Sequence, residues 1–331
     1  MSTPQVSVII PVYNGARFLE ASVGSVIAQT LSPLELFCVD DGSTDGSPQM
    51  LEAIETPFPK HILYQKRKRQ SAACNMAAAQ ARGKYLAFID QDDIWYPRAL
   101  EMLVAPLEQN ALLGWSYSDV DEIDSEGFLV ARNAIRTFNA LAEHPKTSLF
   151  NMLGADMFVL ASSAIVRRDA FMAIGGFDER LSGYEDDDLF IRLFNAGWMN
   201  VFLQESQVRY RRHSGSSTHS ERMRLSREIF ASKLIEMFPD EPQLDRFYVR
   251  DLIAPRFFAA AKAEYANHFP TRNWEQCQSA LELMRRFAAL MGLPFGRNGP
   301  RRAIIFRLLA CPRILNLLYP LVRPQRLLAR L

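Results

Sequence analysis

Val6 to Val12 (VSVIIPV) is an unbroken apolar run rich in β-branched residues and closed by Asn14-Gly15, the pattern of a buried strand ending in a turn. Leu19, Val23, Val26 and Ile27 then recur at helical spacing, and a second apolar run, Leu34 to Val39, ends in DDGSTDGS. Strand, helix, strand opens a doubly wound α/β domain on a parallel sheet. The alternation continues through a strand at Ile62 to Gln65, an alanine-rich helix from Ser71 to Ala81 and a strand from Tyr85 to Ile89. A helix over Pro97 to Gln109 and a strand around Trp115 to Ser118 follow, then a less regular stretch to about Leu160. SSAIVRRDAFMAIGGFDER reads as strand, short helix and Gly-Gly turn. GYEDDDLFIRLFNAG reads as a turn into a helix with Leu189, Phe190, Leu193 and Phe194 on its apolar face, ended by Gly197. From Glu221 nearly every segment has helical periodicity, which sets a boundary near residues 215–225 and divides a domain at 1–220 from a helical region at 221–331.

Several predicted strands run straight into carboxylates. YLAFIDQDDIWYP places Asp90, Asp92 and Asp93 within four positions, and like charges this close raise one another's pKa unless a cation sits among them. Oxygen ligands at alternate positions, Asp90 and Asp92, suit a hard cation such as Mg²⁺ or Mn²⁺; the competing reading is that Asp92 and Asp93 cap the helix that follows. Asp40-Asp41-Gly42-Ser43 fits either an Asx turn or a carboxylate that accepts a hydrogen bond from a base or ribose. In Glu185-Asp186-Asp187-Asp188 a first helical turn holds four acids, more than the helix dipole asks for, and such neighbours lift one pKa toward that of a general base. In open α/β sheets ligands bind beyond the carboxyl ends of the strands, so these loops are expected to share one cleft. His213 lies beside Arg209, Arg211 and Arg212, whose guanidinium groups suit phosphate oxygens, before a Gly/Ser loop.

With 48% hydrophobic and 23% charged residues over 331 positions, a large folded core is affordable and disorder is excluded. Cys38, Cys74, Cys277 and Cys311 form no CxxC pair, so free thiols in a reducing compartment are expected and zinc is not. No basic region precedes the first apolar run and no uncharged stretch of eighteen apolar residues occurs, so neither an export signal nor a transmembrane helix is expected and the chain reads as cytoplasmic. The net charge of +1 hides a segregation: after Glu282 there is no acid but ten arginines, leaving 28 basic against 37 acidic residues before it. Interleaved with Leu, Ile, Phe and Tyr, these arginines suggest amphipathic helices on an anionic bilayer surface, peripheral on the inner face of the membrane; no groove-reading or base-stacking motif points to nucleic acid.

VSVIIPVYNGARFLEASVGSVIAQT, VDDGSTD, YLAFIDQDDIWYP, GGFDERL and YEDDDLFIRL, in this order and spacing, resemble the family 2 glycosyltransferases of the GT-A fold over about residues 5–220. The resemblance implies a Rossmann-like α/β fold with a mixed, mainly parallel sheet, flanking helices and a helical C-terminal extension. It further implies inverting transfer of a sugar from a nucleotide-sugar, a UDP-, dTDP- or GDP-sugar, to a glycan or lipid-linked glycan acceptor. Asp41 would contact the base, with Pro11, Tyr13 and Asn14 lining that pocket. Asp90 and Asp92 look like the family's DxD motif, with Asp92 the main ligand of Mn²⁺ or Mg²⁺, Asp186 the catalytic base, and His213 closing over the metal and diphosphate. One departure stands out. Where family members carry Gly and then Ser-x-x-Arg-Asn before the DxD strand, RQSAACNMA places Arg69 at the glycine and Cys74 at the arginine, so Arg67 or Arg69 is expected to replace the lost diphosphate contact. The rival readings are a nucleotidyltransferase, for which no glycine-rich, lysine-containing activating loop is present, and a non-catalytic glycan or membrane-associated scaffold of the same fold.

Overall fold

All seven residues of β1 (Val6–Val12) are buried, the state of a strand flanked on both edges in a covered sheet. A computed structural model describes residues 6–138, 142–213 and 221–293, together with Ile305, Leu309 and Leu328. β1 pairs in parallel with β2 (Glu35–Asp40) and β4 (Tyr85–Phe88), and β2 with β3 (Lys60–Tyr64). The linking helices are α1 (Leu19–Ile27), α2 (Ser47–Ala53) and α3 (Arg69–Gln80). Leu19, Val23 and Val26 of α1 join the buried cluster formed by Val6, Val8, Ile10 and Val12, each fully buried side chain of this kind contributing about 1.5–3 kcal/mol by removal from water.

Beyond β4 the sheet becomes mixed. After β5 (Ile94–Trp95) and α4 (Ala99–Gln109) come β6 (Leu113–Ile123), β7 (Leu129–Ala131), α5 (Ala134–Phe138), α6 (Leu149–Gly154), β8 (Ala164–Arg167), α7 (Arg168–Ala173), α8 (Glu185–Asn195) and β9 (Met199–Arg211). The strand order is β3-β2-β1-β4-β8-β6-β9-β5, with β7 paired to β6. β8 is antiparallel to both β4 and β6, and β9 is parallel to β6. Two reversals restore direction, so β1, β2, β4, β6 and β9 all end at the same edge. Asn14, Asp41, Asp90, Asp124 and His213 follow those ends, which is how residues far apart in sequence come to one side of the sheet.

The structure differs from the sequence reading chiefly between residues 113 and 211. The strand expected at Trp115–Ser118 runs to Ile123, the irregular stretch contains β7, α5 and α6, and the thirteen-residue β9 was not foreseen. MNVFLQESQVRYR mixes paired apolar positions with exposed polar ones, and its register with β6 shifts twice, so neither a period of two nor an apolar run marks it.

The chain divides into two compact units, one of Met1–Met152 with Asp156–Phe230 and one of Leu153–Ala155 with Ala231–Leu331. The change of periodicity at Glu221 marks the start of α9 (Glu221–Met237), while the division falls within that helix. In the second unit α10 (Ala254–His268) packs on α11 (Trp274–Leu290), with the Phe257 and Phe287 rings stacked at 5.6 Å. Ile305, Leu309 and Leu328 are buried, and the Tyr265 hydroxyl donates to the Leu309 carbonyl at 2.7 Å. The rest of the arginine-rich segment expected to face a membrane lies outside the described residues, as does Cys311; Cys38, Cys74 and Cys277 are buried free thiols. Among the described residues no helix is long and apolar enough to cross a membrane.

One buried charge ties the first strands together. Glu35 accepts from the Ser7 hydroxyl at 2.6 Å and the Arg82 amide at 2.7 Å, and its carboxylate pairs with the half-solvated Arg82 guanidinium at 3.0 Å. Glu35→Ala should lower the guanidinium unfolding midpoint, a loss of about 2–3 kcal/mol, because it strands two buried donors. Arg82→Ala, which removes only an exposed partner, should cost less in the same titration.

Candidate functional site

The loop after β4 is fastened through its side chains. Ser22 donates to the Asp90 carbonyl at 3.1 Å, the Asp90 amide donates to the Ser162 hydroxyl at 3.3 Å, and Gln70 Nε2 donates to Asp90 Oδ1 at 2.8 Å. Gln91 brackets Tyr13, accepting from its amide at 2.8 Å and donating to its carbonyl at 3.0 Å. A Cβ at Gly15 would lie 2.2 Å from Gln91 Oε1, so a larger residue there would push the Gln91 side chain from its bonds to Tyr13. Asp92 Oδ2 and His213 Nε2 are 2.8 Å apart. Asp93 is 1% exposed; one oxygen accepts from the Arg211 amide at 2.9 Å and the other is buried with no hydrogen-bond partner among the described residues. Asp93 therefore anchors β9, not the following helix, and the capping reading fails.

The second acidic group sits on the first turn of α8. Tyr184 enters it in the left-handed region, φ 64°, which is costly for a bulky residue and is held by the Arg227 to Tyr184 hydroxyl bond at 3.2 Å and by stacking on Phe230. Gly183, φ 122°, approaches Met223 so closely that a Cβ would meet its sulfur at 2.2 Å. Glu185 accepts from the Gly183 amide, and Asp186 Oδ2 accepts from the Ala161 amide at 3.0 Å. Asp188 is fully buried and paired with Arg192 one turn on, a structural role.

Asp90, Glu185, Asp186, Asp187 and His213 line one cavity of about 770 Å³, together with Gln70, Ser162, Glu122 and Arg212. Among the described residues none of Asp90, Glu185 and Asp186 forms an ion pair. The Asp90 carboxyl is pushed up to about 7 by desolvation and by the charges of Asp92 and Glu185. Desolvation and the Glu185 charge push Asp186 well above the carboxylate range, and burial pushes Glu185 up. Such a crowd of acids is stabilised by a cation. Among the described residues no three His, Cys, Asp or Glu side chains form a ready-made metal cage. Mg²⁺ and Mn²⁺ do not need one, because one or two carboxylates plus substrate phosphates suffice, and Asp92, Asp90 and His213 fit that donor set.

The other candidate residues form a separate cluster at the ends of β1 and β2, outside the lining of this cavity. Pro11 is buried within β1 beside Val39. Asn14 Oδ1 accepts from the Thr44 amide at 2.8 Å, and the Asn14 amide donates to Ser43. Asp41 is 6% exposed and accepts from the Lys68 amide at 2.6 Å, the Arg69 amide at 2.8 Å and Gln65 Nε2 at 2.9 Å, so here it fastens the loop before α3. In that loop Arg67 bonds the Tyr13 hydroxyl and lies 4.1 Å over its ring, while Arg69, at the glycine position, has φ 78°. Gln91 connects this cluster to the cavity through Tyr13. Cys74 is buried with a thiol raised well above its ordinary value by burial and by the charges of Asp90, Asp186 and Glu185.

Two arginines of the expected phosphate group are otherwise engaged. Arg211 is 5% exposed and donates to the carbonyls of Asp92 at 2.8 Å and Asp124 at 3.0 Å; Arg209 stacks on Tyr96 at 4.7 Å. Only Arg212 lines the cavity, bonded to Glu122 at 3.1 Å. Gln70, Gln91 and Ser162 had no signal in the sequence, since their roles depend on contacts with residues distant along the chain.

The sequence model of Glycosyl transferase family 2 matches residues 7–175, from β1 through α7. The chain belongs to glycosyl transferase family 2. An uncharacterised glycosyltransferase of Nostoc is 38% identical over 112 residues, covering 33% of this chain and 35% of that protein. Chondroitin synthase of Escherichia coli is 29% identical over 198 residues, 59% of this chain and 27% of the enzyme. The chain thus spans about a third of these relatives. The crystal structure of S. aureus TarS 1-349 in complex with UDP-GlcNAc superimposes with a TM-score of 0.63 over 94% of this chain and 87% of that one, at 16% identity, and shares its mixed α/β fold.

The crowding of acids has a measurable consequence. With folded Asp90 near 7 and an ordinary Asp at about 3.9 unfolded, the folded state holds the extra proton between those values, so this group's contribution to stability grows as pH falls through 7. In chelator-treated protein Asp90→Asn should therefore be more stable than the wild type at about pH 8, by ~1–2 kcal/mol, with the gain shrinking toward about pH 5 in guanidinium titrations.

Proposed function

We propose that this glycosyltransferase inverts the anomeric centre as it moves a sugar from a nucleotide-sugar to an acceptor hydroxyl, serving cell-surface polysaccharide or lipid-linked glycan assembly. The observation that carries this reading is the shared cavity: Asp186, free of any described ion pair and with a raised pKa, faces the same space as Asp90 and His213. Asp186 takes the proton from the acceptor hydroxyl as that oxygen attacks from the side opposite the nucleotide. Its fixed bond from the Ala161 amide leaves the other carboxylate oxygen to accept that proton. Asp92, with Asp90 and His213, would hold Mn²⁺ or Mg²⁺, which when bound would neutralise the charge that develops on the leaving diphosphate.

Pro11, Tyr13, Asn14 and Asp41 would form the nucleotide side of the site, with Arg67 and Arg69 near the diphosphate. Because Asp41 is engaged with the loop before α3, donor binding requires that loop to shift or the base to share the carboxylate. The UDP-GlcNAc bound to TarS favours a UDP-sugar over dTDP- or GDP-sugars, and chondroitin synthase among the relatives favours a polysaccharide product. We place the enzyme in the cytoplasm, peripheral on the inner face of the membrane.

Thermal shift with a panel of nucleotide-sugars, each with and without Mn²⁺, tests the donor site, since a ligand stabilises the fold by mass action. One donor should raise Tm only with metal, the rise should vanish in Asp92→Ala, and the Arg67→Ala, Arg69→Ala pair should weaken it; a flat response to every donor defeats the reading. For the base, Asp186→Asn should cut kcat by roughly 10²–10⁴-fold while leaving donor Kd within about twofold. A raised pKa for a group that must be ionised puts the acid limb of the wild-type kcat/KM profile above the ordinary carboxylate range. Loss of donor binding in that variant would make Asp186 structural instead.

A further inference from the structure

Beside its acids the cavity is lined by Val120, Val130, Ala134, Ile135 and Phe158, so a ligand that fills the space meets both carboxylates and hydrocarbon. Val130 is also 59% exposed, and Phe128 and Leu129, just before it in the β6–β7 hairpin, are 72% and 48% exposed. Through Val130 the apolar lining thus continues onto that hairpin.

Exposed apolar side chains on an edge strand are a liability that folds ordinarily blunt with charge. Here the hairpin holds them in place. Asp124 Oδ1 accepts from the amides of Glu126 and Phe128 at 2.9 Å each, Arg211 donates to the Asp124 and Ser125 carbonyls at 3.0 and 3.2 Å, and Arg17 pairs with Glu126. The same Arg211 holds the Asp92 carbonyl, so the hairpin is tied to the loop that carries the DxD residues. Phe158 adds a second sign of a built surface: its φ of 51° is unusual for an aromatic residue, and its amide is held by Asp156 Oδ1 at 3.0 Å.

Resting on the glycosyltransferase reading, we infer that the acceptor is amphiphilic: its hydroxyl reaches Asp186, and an apolar aglycone or lipid chain runs along Phe158 and Val130 and out over Phe128. The occupant is the acceptor itself, because Val130, one of the exposed pair, also lines the cavity that Asp186 lines. A membrane or a second copy of the chain would cover Phe128 without entering the cavity.

The test compares n-octyl β-D-glucoside, below its critical micelle concentration, with methyl β-D-glucoside by calorimetry. The full chain should bind the octyl compound at least tenfold more tightly, and the Phe128→Ser, Val130→Ser double variant should lose that preference while keeping its Tm, since both side chains are largely exposed. Phe158→Ser should reduce it independently. Equal binding of the two glucosides, or a preference that survives the double variant, overturns the inference. So does a double variant that changes only binding to phosphatidylglycerol vesicles, which would make the hairpin a membrane face, or only the sedimentation mass, which would make it a self-interface. Donor turnover by the wild type is assayed separately: octyl preference without any turnover refutes the enzyme reading, and turnover without octyl preference refutes this one.

Discussion

Electrostatic repulsion among carboxylates in a desolvated space is the constraint on which this site is organised. Asp90, Asp92, Asp93, Glu185 and Asp186 come from two loops more than ninety positions apart, and the fold holds them together without a described cation paired to Asp90, Glu185 or Asp186. Four of the five are held by dipoles, Gln70 on Asp90, the Arg211 amide on Asp93, the Ala161 amide on Asp186 and the first turn of α8 beneath Glu185 and Asp186, while Asp92 lies 2.8 Å from His213. Neutral donors can fix a carboxylate in place but compensate its charge only in part. The arrangement is therefore poised for a positively charged partner, and stability and catalysis place opposite demands on the same residues.

The sheet explains how that convergence is possible. The two reversals through β8 bring the ends of β6 and β9 to the edge where β1, β2 and β4 already end. A purely parallel sheet would have needed a helical crossover for every strand. In the mixed half the connections are longer instead: the chain between β6 and β8 holds β7, α5 and α6, and that between β8 and β9 holds α7 and the α8 turn that carries Asp186.

Much of this was legible from the chain and some of it was not, for physical reasons. Strands buried on both faces announce themselves as apolar runs, so β1, β2 and β4 and the acids at their ends could be read directly, as could the acidic first turn of α8. β9 could not, because it faces solvent along part of its length and slips register against β6, so its sequence carries no clean period. The arginines near its end read as phosphate ligands, yet burial turned Arg211 into a brace between the loop of Asp92 and the β6–β7 hairpin. Glutamine side chains gave no warning at all: Gln70 and Gln91 matter only through partners 20 and 78 positions away.

The loop before α3 shows how one departure from the family pattern is accommodated. Arg69 adopts a left-handed φ that a glycine would take without strain, and the Asp41 carboxylate offsets that strain by gripping the amides of Lys68 and Arg69. Five residues on, the thiol of Cys74 stands near the charges of Asp90, Glu185 and Asp186, where an arginine would have supplied a cation. Replacing a guanidinium with a thiol leaves the carboxylate cluster more strongly negative, while Arg67 and Arg69 are exposed around the start of α3. Compensation from such exposed positions is weak in solvent, since two unit charges separated by water interact by only about 1 kcal/mol even at 4 Å. On the proposed reading the burden of balancing the site would fall on a cation that enters with the donor, which would link occupancy of the nucleotide side to the ionisation of Asp186.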